Sequence, residues 1–333
     1  MENILAHTQV PCRLLIVDQG SEEPTRRYLS SIPSSRFVQV EILWNPVNVG
    51  FPKGMNIGLR QATAPYVCFL NNDILVPPGW LEELLSVAES DSSIGLVNPS
   101  SNTFGIHPPE GMDGLAFSRT LRARQGQWTE VRYGEGFCLL GCRALLQELG
   151  GFDETTYRQI YFEDADLGRR VQARGLRCVM AEGTYVRHHE GQTMGQRPER
   201  LALFQENERR FLQKWGRGRR VLFALRHSSD EEWRWVTEEA RREANRSGQV
   251  WIYLAANGSA LEGPKHLSIR VHYLPAWQLP WRVLWKTLTK KKGLERIVTD
   301  RGGLNAALRM IAPLRGCRVE PLPQKIFGPI AQR

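Results

Sequence analysis

Two kinds of apolar spacing alternate along this chain, and the alternation predicts an α/β protein. Short runs of β-formers at residues 13–18 (Arg-Leu-Leu-Ile-Val-Asp), 38–43, 66–70 and 94–98 read as strands. The run at 66–70 (Tyr-Val-Cys-Phe-Leu) is unbroken, which predicts a strand buried on both faces whose end delivers Asp73 into solvent. Between these runs, residues 21–31, 54–62 and 77–90 carry helical spacing, the last opened by prolines, and residues 2–8 read as the end of a helix.

Residues 98–129 hold Gly, Pro and polar side chains without a sustained period and predict a long irregular excursion. A strand at 136–140 follows, then a helix at 143–149 stopped by Gly150-Gly151 and a helix at 163–174 stopped by Gly175. Two short extended pieces are expected at 178–181 and 184–187, and an amphipathic helix at 201–215. The run Gly216-Arg217-Gly218-Arg219-Arg220 is the best linker, and beyond it the alternation restarts. Strands at 221–225, 250–255 and 267–274 and helices at 231–247, 281–288 and 304–311 predict a second, smaller α/β domain. The expected division is therefore 1–216 and 217–333.

Charge sharpens that division. The net +9 of the whole chain is uneven: residues 1–216 carry 22 Lys and Arg against 25 Asp and Glu, whereas residues 217–333 carry 22 against 10. The basic character belongs to the C-terminal third, whose surface could meet anionic lipid, a phosphorylated acceptor or nucleic acid, or be a solvated face. Six cysteines without a C-x-x-C pair read as reduced, mostly buried thiols rather than zinc ligands. No apolar run has the length of a membrane span and none is built as a signal peptide, which predicts a cytosolic protein.

The candidate chemistry lies at the ends of the strands. Asp18 and Asp73 each follow a strand, where open α/β sheets bind ligands and where a carboxylate can hold a divalent cation against a phosphate. The turn Asn48-Val49-Gly50-Phe51-Pro52-Lys53 opens a helix, so its backbone N–H groups are expected to face a phosphate, with Lys53 able to reach the same group. Glu163, Asp164 and Asp166 crowd the first turn of one helix, which by itself is a favourable pairing with the helix dipole.

The order of these motifs points further. Ile-Val-Asp18-Gln-Gly-Ser, Asn48-x-Gly50-Phe-x-x-Gly-x-Asn56-x-Gly58, Leu-Asn-Asn72-Asp73, Gly150-Gly-Phe-Asp153-Glu, Phe-Glu163-Asp164-x-Asp166-Leu and His188-x-x-Gly191-x-Thr193 together resemble glycosyltransferase family 2 over residues 1–215. The resemblance implies a GT-A fold, a Rossmann-like three-layer αβα arrangement on a mostly parallel sheet. It also implies a nucleotide-diphosphate sugar donor, a divalent metal (Mn2+ or Mg2+) and inverting transfer to a hydroxyl of a saccharide or lipid-linked acceptor. Carried over residue by residue, it makes Asp73 and His188 metal ligands, a histidine tilting the choice towards Mn2+. Asp164 becomes the catalytic base, with Glu163 next in line, while Asp18 meets the nucleotide base and Asn72 the ribose. Asn48 and Lys53 stand on the donor side, and Asp166 reads as structural.

One departure stands at the start. The family's first strand precedes a helix resembling residues 3–8, and here Met1 falls inside that helix, so the first strand is expected to be missing. The C-terminal third resembles, in pattern only, the opening half of a GT-B glycosyltransferase. The expected role is surface-polysaccharide or glycolipid assembly at the inner face of a membrane, contacted peripherally through the basic domain, with no nucleic-acid partner. Two other readings stand beside it. One is a non-catalytic binding module for carbohydrate or nucleotide diphosphate, inert for want of the first strand. The other is a nucleotidyltransferase, which would want a Gly-rich basic triphosphate loop that the N-terminal region does not show.

Overall fold

The structure is a computed structural model describing residues 1–189, 198–226, 229–255, 261–289, 293–300 and 302–323. Gly191 and Thr193 of the histidine motif lie outside the described residues. The chain divides into two compact units, Met1–Trp215 and Gly216–Arg333.

Unit 1 opens with helix α1 (Glu2–His7), strand β1 (Cys12–Gln19), α2 (Glu23–Ser31), β2 (Val38–Asn45), α3 (Phe51–Gln61), β3 (Tyr66–Leu70) and β4 (Ile74–Leu75). It continues through α4 (Trp80–Ser90), β5 (Ile94–Ser100), α5 (Gly114–Leu121), β6 (Trp128–Val131), β7 (Cys138–Cys142) and α6 (Arg143–Glu148). It closes with α7 (Glu163–Ala173), β8 (Arg177–Tyr185), β9 (Arg187–His188) and α8 (Pro198–Trp215). The five-stranded sheet runs β3-β7-β5-β8-β6. Its strands alternate between two buried faces. Val97, Cys138, Leu140, Val179 and Ala181 pack with Trp80 and Leu84 of α4, while Leu96, Leu139, Cys178 and Met180 pack with residues of α3, α6 and α7. That period of two with both faces covered is the three-layer arrangement expected of an α/β sheet.

Several details differ from the expectation. Within this sheet only β5–β8 is parallel, and β3–β7, β5–β7 and β6–β8 are antiparallel; parallel pairing otherwise belongs to β1–β2 and to unit 2. The stretch expected to be irregular contains α5 and the start of β6. Asp113 caps α5 by accepting the N–H groups of Leu115 and Ala116, a start signal that sits in the sequence. The two extended pieces near residue 180 are one nine-residue strand, β8.

The largest difference concerns β3. It is an edge strand with only Phe69 fully buried, because among the described residues its sole strand partner is β7. Strands β1 and β2 form a separate two-stranded parallel sheet, and residues of β1 and of β3 both line one cavity of about 1950 Å3. Among the described residues no strand joins the two sheets.

Unit 2 contains β10 (Arg220–Leu225), α9 (Asp230–Asn245), β11 (Gln249–Ala255), β12 (Ile269–Leu274), α10 (Leu279–Thr289), β13 (Arg296–Thr299), α11 (Gly303–Ile311) and β14 (Arg318–Pro321). Its sheet runs β12-β11-β10-β13-β14 and every pair is parallel. Val221, Phe223 and Leu225 face α9, while Leu222 and Ala224 face α10 and α11. Here too both faces of the sheet are covered.

Candidate active site

Three loops and one strand pair bring distant acids to a single cavity in unit 1. The chain leaves β3 through Asn71-Asn72-Asp73 and enters β4, which pairs antiparallel with β9 so that Ile74 stands opposite His188. This short ladder sets Asp73 Oδ1 3.2 Å from His188 Nε2. His188 is fixed from three sides. Its ring stacks on Phe137 with centroids 5.3 Å apart, its backbone N–H donates to Asn102 Oδ1 at 2.7 Å, and its carbonyl accepts from Asn102 Nδ2 at 2.9 Å. Asn71 Nδ2 stands 3.2 Å from His188 Nε2. Asp73 Oδ1 and His188 Nδ1 are buried and make no hydrogen bond among the described residues.

Such a carboxylate–imidazole pair suits a divalent cation. Octahedral ligands with bonds of about 2.1 Å stand about 3 Å apart, close to the observed separation, and an imidazole ligand favours Mn2+ over Mg2+. No cluster of three His, Cys, Asp or Glu able to hold a metal occurs among the described residues.

Asp164 and Glu163 open α7 behind a strained turn. Tyr161 and Phe162 take successive left-handed conformations, φ 78° and 71°, which side chains other than glycine adopt at a cost of order 1–3 kcal/mol each. The turn is held by Asn207 of α8, fully buried, whose Nδ2 donates to the carbonyls of Ile160 at 2.9 Å and Tyr161 at 3.2 Å. Phe162 also packs against Phe204 and Phe211 of α8. Asp164 accepts the Gly136 N–H on Oδ2 at 2.9 Å and the Ala165 N–H on Oδ1 at 2.7 Å. Burial raises its carboxyl above the ordinary aspartate range, against the opposing pull of those N–H donors. Glu163 is buried with Oε2 unpartnered, and burial followed by the charge of Asp164 holds its carboxyl well above the usual range. Both carboxyls of the pair are thus held above their ordinary ranges, burial being the first cause in each. Asp166 is structural. Fully buried, it accepts from Arg170 Nε at 2.8 Å and Trp215 Nε1 at 2.8 Å, with Lys214 Nζ at 2.7 Å, and so ties α7 to α8.

Asp18 ends β1 with Oδ2 accepting the Ser21 N–H at 3.3 Å and Oδ1 buried without a partner among the described residues. Asp18, Asn72, Asp73, Glu163, Asp164 and His188 all line the cavity. The turn before α3 corrects the phosphate cradle that the sequence suggested. The Val49 N–H donates to Gln19 Oε1, the Gly50 N–H to Asn48 Oδ1 and the Phe51 N–H to the Gln159 carbonyl, and Pro52 has none to offer. Gly50, at φ 86°, is required because a Cβ there would lie 2.1 Å from the Arg158 carbonyl. The glycine admits a neighbouring loop rather than a ligand. Asn48 lines the cavity but spends its side-chain oxygen within the turn, and Lys53 is exposed and does not line the cavity. Sequence reasoning missed Gln19, Asn102 and Asn207; each is an amide whose partner is backbone far away in the chain, and no local pattern marks it.

Comparison with known proteins finds similarity to glycosyltransferases over the N-terminal unit. Residues 1–150 match the model of the family described as glycosyl transferase family 2. The O-antigen biosynthesis protein RfbC of Myxococcus xanthus is 32% identical over 213 residues, covering 57% of this chain and 16% of that protein. The N-acetylglucosaminyl-diphospho-decaprenol L-rhamnosyltransferase of Mycobacterium tuberculosis is 26% identical over 223 residues, covering 57% of this chain and 71% of that protein. Among solved structures, a mannosyltransferase of Pyrobaculum calidifontis in complex with GDP-Man and Mn2+ matches with 18% identity and a TM-score of 0.38, covering 55% of this chain and 49% of that one. The chain thus spans a small part of RfbC and most of the rhamnosyltransferase. The match to the glycosyl transferase family 2 model falls within the N-terminal unit, over residues 1–150.

Proposed function

We propose that unit 1 is the catalytic domain of an inverting, metal-dependent glycosyltransferase. It would move a sugar from a nucleotide-diphosphate donor to a hydroxyl of a saccharide or lipid-linked acceptor, in surface-polysaccharide or glycolipid assembly. The observation that carries the reading is the shared cavity, in which the Asp73–His188 pair and the Glu163–Asp164 pair line the same space. Asp164 takes the proton from the acceptor hydroxyl as that oxygen attacks the anomeric carbon. Two backbone N–H groups fix the orientation of its carboxylate, and burial raises its proton affinity. Displacement by the acceptor itself needs no covalent intermediate on the chain and inverts the anomeric centre. Asp73 and His188 would hold a divalent cation, whose chemistry when bound is to draw off the negative charge of the departing diphosphate. Asp18 offers its unpartnered Oδ1 to a base N–H, and exposed Asn72 stands at the cavity rim for a ribose hydroxyl. The names of the relatives, O-antigen biosynthesis and a decaprenol-linked acceptor, support the acceptor class.

The second reading, a binding module without turnover, is favoured by one observation, the open cavity between the edges of β1 and β3. A screen of nucleotide sugars for Mn2+-dependent release of nucleoside diphosphate separates the two. Turnover with at least one donor, abolished by chelation, supports the transferase. Nucleotide-diphosphate binding with no turnover across donors supports the module.

A further inference from the structure

The solvent face of α10 is built against the usual rule for a surface helix. Leu279, Val283 and Thr287 form its buried stripe. The opposite face, which should be polar, carries Trp281, Trp285 and Leu288 at spacings of four and three, exposed by 70%, 66% and 47%. Trp277, just before the helix, is 71% exposed, and Leu314, on the 3-10 turn Ala312–Arg315 that packs beside α10, is 84% exposed. Each indole presents a large apolar surface to water, and a contiguous patch of this kind marks an interaction surface.

The sequence that carries the helix points to what the patch meets. Residues 263–294 contain no Asp or Glu but seven cations, namely Lys265, Arg270, Arg282, Lys286 and Lys290-Lys291-Lys292. Lys286 is drawn inward, its Nζ 4.1 Å from the centroid of Trp251. Arg282 is exposed beside Trp281. Indoles for the headgroup layer, flanking cations and no acids are the features of a helix that lies in the interface of an anionic bilayer. At 11 residues α10 is too short to cross, and no described helix is long and apolar enough to do so. We propose that α10 docks unit 2 onto an anionic lipid surface, with Trp281, Trp285 and Leu288 sunk among the headgroups and Arg282 at the phosphates. The inference concerns unit 2 alone and stands apart from the activity proposed for unit 1.

The test is co-sedimentation of the full chain with vesicles of phosphatidylcholine alone, or with about a third phosphatidylglycerol. The wild type should bind the anionic vesicles, bind neutral ones weakly, and release as salt rises. The double variant Trp281→Ala/Trp285→Ala should lose affinity by at least about tenfold, since each ring withdraws on the order of 100 Å2 of apolar surface from water. Arg282→Glu should lose about fivefold or more. The melting temperature of the tryptophan variant should stay at the wild-type value, because both rings are exposed. Wild type that ignores anionic vesicles, or a double variant that binds as well as wild type, overturns the proposal. So does self-association without lipid that the double variant abolishes, which would make the face a contact between copies. Tryptophan fluorescence left unquenched by brominated lipid while the chain sediments would overturn it as well.

Discussion

Replacing Asn207 with alanine should both loosen unit 1 and displace Asp164, its proposed base, although the amide is assigned no contact with acceptor or donor. Its two hydrogen bonds hold the carbonyls of Ile160 and Tyr161, and with them the two left-handed residues that aim Asp164. Each bond contributes about 1 kcal/mol net, and the carbonyls left behind in a buried turn add a further penalty of about 1 kcal/mol or more. Removing the unpartnered Oδ1 of Asn207 returns part of that, so the net loss is about 2 kcal/mol. For a unit spanning Met1–Trp215 this lowers the melting temperature by roughly 4–8 °C. The freed turn can then relax to negative φ, and a base moved by about 1 Å costs roughly 10²-fold in turnover. Asn207→Asp separates donation from packing: with the same shape but acceptors in place of donors, it should be at least as damaging. The assays are calorimetry on the full chain and steady-state kinetics on the same preparations. A variant that melts within about a degree of wild type and turns over normally would refute the assignment of Asn207 as the residue positioning Asp164.

Glu163→Gln should flatten the pH dependence of stability. A carboxyl whose folded pKa is raised contributes stability below its unfolded value of about 4.3, and that contribution is lost as pH climbs through the folded value. The variant should therefore match wild type near pH 4 and melt progressively higher than it above that range, and equal slopes in a melting series across pH would contradict the raised carboxyl of Glu163. The acid limb of the turnover profile should lie above the ordinary aspartate value of about 3.9, because burial raises Asp164; a limb at or below that value would remove Asp164 from the role. Asp73→Ala should abolish Mn2+-dependent binding of nucleoside diphosphate in calorimetric titration, with His188→Ala weakening it, and an unchanged titration would displace the metal site.

Much of this fold was legible because burial on both faces of a sheet writes itself into the sequence. Residues 94–98 and 221–225 are strands where the apolar runs place them. The acids at the ends of β1 and β3 and in the first turn of α7 could be read too, and Asp18, Asp73 and Asp164 line one cavity from positions far apart in the chain. Strand direction was less legible, since β7 and β6 pair antiparallel with neighbours that local composition does not identify. Helix α5 hid in a polar stretch, although Asp113 announces it. The turn at residues 48–53 shows the limit of motif reasoning. A glycine before a helix satisfies a bound phosphate and a crossing backbone equally well, and only the position of Arg158 and Gln159 decides between them. Amides such as Asn102 and Asn207 are invisible for the same reason: their partners are backbone groups that only the folded chain brings near.

The central claim is that Asp164 is the base of a transferase whose donor site is assembled separately from it. It is tested most directly by Asp164→Asn, an isosteric change that keeps the side chain's shape while removing its ability to accept a proton. With a donor identified by the nucleotide-sugar screen, the account predicts donor affinity within about twofold of wild type and turnover lowered by about 10²-fold or more. Near-normal turnover in that variant, with donor affinity retained, would contradict the account and move the base elsewhere in the cavity.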